Sequence, residues 1–248
     1  MIVPADERPR QGASIGRPVM AMRWRDVSYL HWDLDPDSVA RRLPEGLEPD
    51  LFEGRAYVGL VPFVMDGIRV GTGGPRLPAS RFPETNVRTY VVGPDGGHGV
   101  YFHSLDIDRL APAFVARTTY RLPYCYADMS VTVEEHRITY AARRRWPGPR
   151  GAISRVALEV GERLADGDRS LLDGFLTARF ALYESTPGGA LLRADISHEP
   201  WPLREARPVS LDDGFVAAAG YRLDRGAPSH VVHGGGVDVQ VGRPRRIS

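Results

Sequence analysis

Run after run of this chain changes chemical character at every second residue. In "RFPETNVRTYVVG", Glu84, Asn86, Arg88 and Tyr90 alternate with Thr85, Val87, Thr89 and Val91. The same period recurs in "GVYFHSLDID", "HRITYAARRR" and "SRVALEVGER". Successive side chains of a strand point to opposite faces, so this period predicts strands. "GRAYVGLVPFVMDGIRV" is a denser β-prone run, in which Pro62 predicts a bulge or an edge because it has no N–H to donate. Helical signals are fewer. "DPDSVARRLPEG" offers Asp35 or Asp37 as a cap and Pro36 in the first turn. The longest is "SLLDGFLTARFALYE", where Leu171, Leu172, Phe175, Leu176, Arg179 and Phe180 follow i, i+3, i+4 spacing behind Asp168 or Ser170. Another short helix is expected near 110–119, and "GRPRRIS" reads as a solvated basic tail. Many strands with a few short helices predict a single α+β domain over 21–248, built on antiparallel sheet, after a flexible polar arm over 1–20.

Composition removes whole classes of function. The 32 basic and 31 acidic residues leave a net charge of +1, so no electrostatic footprint marks a nucleic acid or an anionic membrane as partner. No apolar run approaches the roughly 20 residues needed to span a bilayer. The first residues include acids and lack an apolar h-region, which argues against a signal peptide. One cysteine, Cys125, excludes an intramolecular disulfide and suits a reducing cytoplasm. Every basic residue is arginine. With no lysine amine there is no side chain that can form a Schiff base.

The common motifs of cofactor and metal chemistry are missing: no GxGxxG after a strand, no Walker A, no GxSxG and no HExxH. "GTGGP" lacks the lysine and the strand–loop–helix setting of a phosphate cradle. His230 and His233 sit three apart on a strand and so point to opposite faces, which does not assemble a metal site. His98, His136 and His198 stand alone as ordinary polar residues. Neither a metal nor a cofactor is expected. Cys125 is either a nucleophile in need of a base or a small core residue between two tyrosines. Glu84 and Arg88 share one face of their strand about 13 Å apart, too far to neutralise each other. Each needs a partner on another strand, water or a ligand. Pairing with "GVYFHSLDID" could place His103 or Ser104 beside Asn86 or Arg88, in a register the residues leave open. From pattern alone the polar face is either a solvated sheet surface or a pocket wall.

An ordered set of segments then carries a resemblance: "LHWDL", "LPEGLEPD", "GRAYVGLVPFVM", "FPETNVRTYV", "GVYFHSLDID", "LPYCYADM", "FLTARFALY" and "HEPWPL". From about Trp24 to near Val241 the chain resembles the YqjF-like bacterial family of the acetoacetate-decarboxylase-like superfamily. The resemblance implies an antiparallel β-barrel or cone with a few flanking helices, its interior opening to a small-molecule pocket. It implies that Glu84, in Phe82-Pro83-Glu84, faces that pocket, as a glutamate of an aromatic-x-Glu motif does in the decarboxylases. Where the decarboxylases carry a Pro-Lys-Lys segment, this chain has "LPYCYA", with Tyr124 and Cys125 in place of the lysines. The Schiff-base chemistry is therefore absent.

The expected function is cofactor-free, lysine-independent acid–base chemistry on a carbonyl or carboxylate metabolite, of the lyase, dehydratase, isomerase or cyclase kind. Glu84, His103 and Tyr124 are the catalytic candidates; Arg88, Asn86, Tyr90, Arg117 and Cys125 are the substrate-binding candidates. The second reading is a non-catalytic small-molecule binder or sensor using the same pocket. The resemblance is compatible with a homo-oligomer, which no residue pattern demands.

Overall fold

A strand that is β-branched on one face and polar on the other can be covered on both sides if the polar face finds partners. In a computed structural model of the chain, strand β5 (Phe82–Val92) occupies that central position. The structure describes residues 15, 17–109, 122–186, 188–223 and 226–247. Most of the expected arm, the helix expected near 110–119 and Arg117 lie outside the described residues.

The strands before and around β5 are β1 (Met20–Arg25), β2 (Val27–Leu34), β3 (Glu48–Pro49), β4 (Ala56–Val70) and β6 (His98–Ile107). Then follow β7 (Tyr124–Val133), β8 (Arg137–Trp146), β9 (Ile153–Arg163), β10 (Ala181–Ser185) and β11 (Leu191–His198). The last are β12 (Leu203–Asp213), β13 (His230–Gly234), β14 (Val237–Val241) and β15 (Arg245–Arg246). Three short helices accompany them: α1 (Pro36–Ala40), α2 (Leu171–Thr177) and α3 (Phe215–Ala218). Asp35 caps α1 with Pro36 in its first turn, as the residues predict.

The ladders close on themselves twice. One ring runs β4–β1–β14–β11–β10–β6–β5, and the other runs β4–β2–β13–β12–β9–β8–β7–β6–β5. Both share β4, β5 and β6. The sharing is possible because the outer edges of β4 and β6 each serve two partners in succession. β4 pairs with β2 through Ala56–Leu60 and with β1 through Val64–Val70. Pro62 sits in the gap between them, opposite Thr85 of β5 in regular register. The missing N–H is thus placed where neither outer strand needs it. β6 pairs with β10 at Val100 and Tyr101 and with β7 from Leu105 to Ile107. Both of these contacts are parallel, a departure from the all-antiparallel expectation.

Each ring has its own core. Leu30, Val58, Val87, Ile138, Leu158 and Phe215 fill the nine-strand ring. Met22, Phe63, Phe82, Ile107, Ile196 and Val239 fill the seven-strand ring, next to a cluster containing Tyr90, Phe102 and Leu176. One expectation is corrected here. The helix at 171 ends at Thr177, although the apolar spacing continues to Phe180. Arg179 Nε folds back on the Phe175 carbonyl at 2.6 Å, and Ala181 already pairs with Asp195 in the sheet. Its start is a capping box between Ser170 and Asp173. The basic tail is partly strand, since Arg245 and Arg246 pair with Arg193 and Leu192 of β11.

The nine-strand interior also holds an ion pair. Arg144 Nε donates to Asp106 Oδ1 at 2.7 Å, and its Nη2 donates to Asp106 Oδ2 at 2.6 Å and Ser104 Oγ at 2.9 Å. The two side chains are 4% and 0% exposed, and the guanidinium lies 4.8 Å from the Phe215 ring centre. Removing one partner strands the other charge without water. Arg144→Met is expected to lower unfolding free energy by about 3–5 kcal/mol in urea titrations, and adding Asp106→Leu to recover part of that loss. A single variant as stable as the parent would show that the pair contributes nothing.

Candidate functional site

Because β5 separates the two rings, its alternate side chains enter different interiors. Glu84, Asn86, Arg88 and Tyr90 point to the seven-strand side and are 2%, 2%, 5% and 0% exposed. The polar face is inside, and the solvated-surface reading is excluded for it.

Glu84 lies opposite Phe63 of β4 and Ile107 of β6. Its Oε2 has no hydrogen-bond partner among the described residues. Burial, with the Asp106 charge adding to it, pushes the Glu84 carboxyl from 4.5 up to about 8. Tyr124 is partly buried, and burial, then the nearby Glu84, push its phenol well above the ordinary range. These two expected site residues are brought together. Asn86 sits between Val61 and Leu105 with Oδ1 unpartnered.

Arg88 Nη2 donates to the Leu176 carbonyl at 3.0 Å and to the Tyr90 hydroxyl at 3.3 Å. Its guanidinium packs 5.4 Å from the Tyr29 ring centre and 5.5 Å from that of Tyr90. Its Nε has no partner, and no carboxylate pairs with it among the described residues. Beside it is a cavity of about 10 Å³, room for roughly one water, lined by Trp24, Tyr29, Phe102, Arg179, His198 and Trp201. Trp24 also lines this cavity, and its buried Nε1 is likewise unpartnered. The neighbouring cation, Arg179, is already neutralised by Asp50, which also accepts from His98 at 2.8 Å.

His103 and Cys125 are not brought to this face. A bulge in β6 pairs Val87 with Ser104 but Arg88 with Phe102, leaving His103 as the extra residue. Neither His103 nor Ser104 therefore stands opposite Asn86 or Arg88. The His103 ring packs against Tyr101, and its Nε2 lies 2.7 Å from the Tyr221 hydroxyl, on the nine-strand side. Burial, with Arg42 adding to it, lowers the His103 imidazole to about 4. Cys125 is buried opposite Asp106, with Sγ 3.6 Å from the Pro123 carbonyl.

A larger surface groove of about 600 Å³ is lined by Trp32, Ser38, Arg42, Arg55, Tyr221 and Leu223. Its Arg42 and Arg55 are engaged, with the Gly220 carbonyl and with Asp33. None of the unpartnered groups of β5 reaches it, so size alone does not make it the site. Among the described residues no three His, Cys, Asp or Glu side chains gather closely enough to hold a metal ion. No helix among them is long and apolar enough to cross a membrane.

The residues not anticipated are Trp24, Tyr29, His31, Arg179, His198 and Trp201. Tyr29 and His31 alternate in "SYLHWDL" as Glu84 and Asn86 do in β5, and that period was the available signal. The others reach the cavity from different elements, through pairings that the residues alone do not specify.

This double ring has the fold of acetoacetate-decarboxylase-like proteins. The acetoacetate decarboxylase of Legionella pneumophila superposes with a TM-score of 0.66 at 14% identity, covering 100% of this chain and 98% of that one. The enduracididine biosynthesis enzyme MppR, complexed with pyruvate, gives 0.60 at 17% identity, covering 95% and 93%. More specifically, the chain belongs to the DUF2071 family of uncharacterized conserved proteins, whose model matches residues 21–238. The uncharacterized protein YqjF of Bacillus subtilis (strain 168) is 35% identical over 211 residues, 85% of each chain.

The raised Glu84 carboxyl has a consequence for stability. Between pH 4.5 and about 8 the unfolded chain releases this proton while the folded chain keeps it. Stability contributed by the group is complete below 4.5 and is lost as pH rises through 8, at up to about 1.4 kcal/mol per pH unit. Glu84→Gln is expected to flatten that decline, so the variant gains on the parent as pH rises in denaturation experiments. Parallel curves for the two proteins from pH 5 to 8 would mean the carboxyl ionises normally.

Proposed function

We propose that the inner face of β5 is one wall of a small-molecule site that performs acid–base chemistry on a carboxylate-bearing carbonyl compound, without covalent amine catalysis. The observation that carries the reading is that Arg88 and Trp24, two residues lining one cavity, keep buried N–H groups, Nε and Nε1, without a partner, and that among the described residues no side-chain carboxylate balances the guanidinium. Buried cations are paired, and a planar guanidinium suits a carboxylate. Glu84, neutral up to about pH 8, is the group that gives a proton to the substrate and takes one back. Asn86, lying between them on the same face, orients the carbonyl. MppR is a neighbour of the same fold complexed with pyruvate, which supports a small 2-oxo acid as the class of ligand. Lacking lysine, the chain handles such a compound by proton transfer: decarboxylation without a Schiff base, dehydration, isomerisation or cyclisation. The cavity of about 10 Å³ is smaller than such a ligand, so binding displaces Trp24 or Trp201 from their stacked contact.

A non-catalytic binder is the second reading. It is favoured by the separation of His103 and Cys125 from Glu84, which leaves fewer titrating groups on the ligand side.

Pyruvate binding, followed by calorimetry, is expected to weaken at least about tenfold in Arg88→Gln, the loss of one charge-assisted contact. Borohydride added with pyruvate is expected to trap no adduct by mass spectrometry. Glu84→Gln separates the readings. Retained binding with lost turnover of a 2-oxo acid identifies an enzyme, whereas unchanged binding to a parent that turns nothing over identifies a binder. Unaltered pyruvate affinity in Arg88→Gln would remove the basis of both.

A further inference from the structure

Side chains from four elements are hydrogen-bonded in series between α2 and Arg88. Asp173 Oδ1 is 2.7 Å from His230 Nε2, and His230 Nδ1 is 3.1 Å from His31 Nδ1. His31 Nε2 is 2.6 Å from the Tyr90 hydroxyl, which lies 3.0 Å from the Leu176 carbonyl and 3.3 Å from Arg88 Nη2. Sheet register sets this series. His230 stands opposite His31 across β13 and β2, and Gly59 of β4 stands opposite both His31 and Arg88. A Cβ at Gly59 would come within 2.8 Å of His31 Cδ2, so only glycine lets the imidazole lie across β4 to reach Tyr90. Asp173 is held by the Ser170 N–H and hydroxyl on its other oxygen.

Hydrogen positions in the series are nearly determined by what each group can donate. Against the cost of burial, bonds from His230 and Ser170 keep Asp173 below its ordinary range, so it is a carboxylate and only accepts. His230 Nε2 therefore carries a hydrogen. Two arrangements remain. In the first, His230 is neutral, its Nδ1 accepts from His31 Nδ1–H, and His31 Nε2 accepts from the Tyr90 O–H. In the second, His230 is an imidazolium that donates through Nδ1 to His31. His31 Nε2–H then donates to the Tyr90 oxygen, and the Tyr90 O–H turns to the Leu176 carbonyl. The arrangements differ by one proton. His31 is neutral in both but changes tautomer.

The charges around the series decide where that proton rests. The inner end faces cations: Arg88 beside Tyr90, and Arg179 4.9 Å from the Tyr90 ring centre with Asp50 already engaged. Burial, then His230 and Arg88, hold the His31 imidazole well below its usual range. The outer end faces the anion Asp173, and there the His230 and Asp173 side chains are 9% and 8% exposed. His31 and Tyr90 are 0% exposed.

We propose that Tyr90, His31 and His230 form a proton wire between the Arg88 side of the seven-strand ring and a depot at His230, with Asp173 as its counter-ion. A proton leaving a ligand beside Arg88 binds the Tyr90 oxygen, and the hydroxyl proton of Tyr90 passes to His31 Nε2. The Nδ1 proton of His31 passes to His230 Nδ1. The ligand ends with one negative charge more, His230 with one positive charge more, and Tyr90 and His31 unchanged in charge. The reverse sequence returns the proton. The proposal rests on the proposed site only for the identity of the group at the inner end; His31 and His230 are positioning residues.

Proton-coupled tautomerism is read without any ligand, by long-range ¹H–¹⁵N spectra of the histidine-labelled full chain across pH. On acidification His230 is expected to become an imidazolium. At the same midpoint His31 is expected to exchange its Nδ1–H for its Nε2–H form while staying neutral. Asp173→Asn, which removes the adjacent opposite charge, is expected to move the His31 tautomer exchange and the His230 protonation together, by the same amount. A His31 that keeps one tautomer throughout, that takes up the proton itself, or that shifts independently of His230 would overturn the wire. Arg88→Gln is expected to retain the linked transition even where pyruvate no longer binds, which keeps failure of the wire distinct from failure of the site.

Discussion

Enclosing β5 on both faces is the constraint on which the rest of this molecule depends. A polar side chain on such a strand has no access to water, so it must be bonded by another element, lose its charge or lie beside a ligand. The first two outcomes occur along one strand and its neighbour, and a third group is left open. Asp106 of β6 is bonded by Arg144, Glu84 is driven toward its neutral form, and Arg88 keeps a buried N–H with no partner among the described residues.

The two interiors resolve this constraint differently. On the nine-strand side Arg144 serves Asp106 and Ser104, and Ser28 bridges Tyr140 at 2.9 Å and His233 at 3.0 Å, while Asp213 Oδ1, beside α3, is left without a partner among the described residues. On the seven-strand side the inward polar residues of β5 leave Glu84 Oε2, Asn86 Oδ1 and Arg88 Nε unmatched. Unused bonding capacity is therefore concentrated along the inner face of β5. The same division explains why His230 and His233, three residues apart, take part in separate networks on opposite faces.

Much of this was legible in local period. The alternation of Glu84, Asn86, Arg88 and Tyr90 identifies the strand and its polar face, and the family resemblance turns that face inward. Pro62 marks a real discontinuity, though its cause is the exchange of β2 for β1 along β4, a relation between distant segments. His103 was misplaced because one bulge residue reverses which face the rest of β6 presents, and a two-residue period carries no trace of it. Arg179 and Phe180 fit a helical stripe by spacing, but the Asp50 carboxylate and the pairing of β10 with β11 outweigh that local preference. The partner of His31 lies 199 residues away, in a strand whose register is set by closure of the whole ring.

Double closure also fixes where the chain can change length. Apart from the two-residue strands β3 and β15, every strand has neighbours on both sides for at least part of its length. An added residue within β4, β5 or β6 cannot be absorbed by sliding, because the slip would have to propagate around both rings and would exchange their interiors. Tolerance of insertion is thereby confined to the connections, such as the exposed turn at 94–97 and the segment 71–81. The shared sheet thus divides the chain into a core of fixed length and a rim where evolution can add or delete freely.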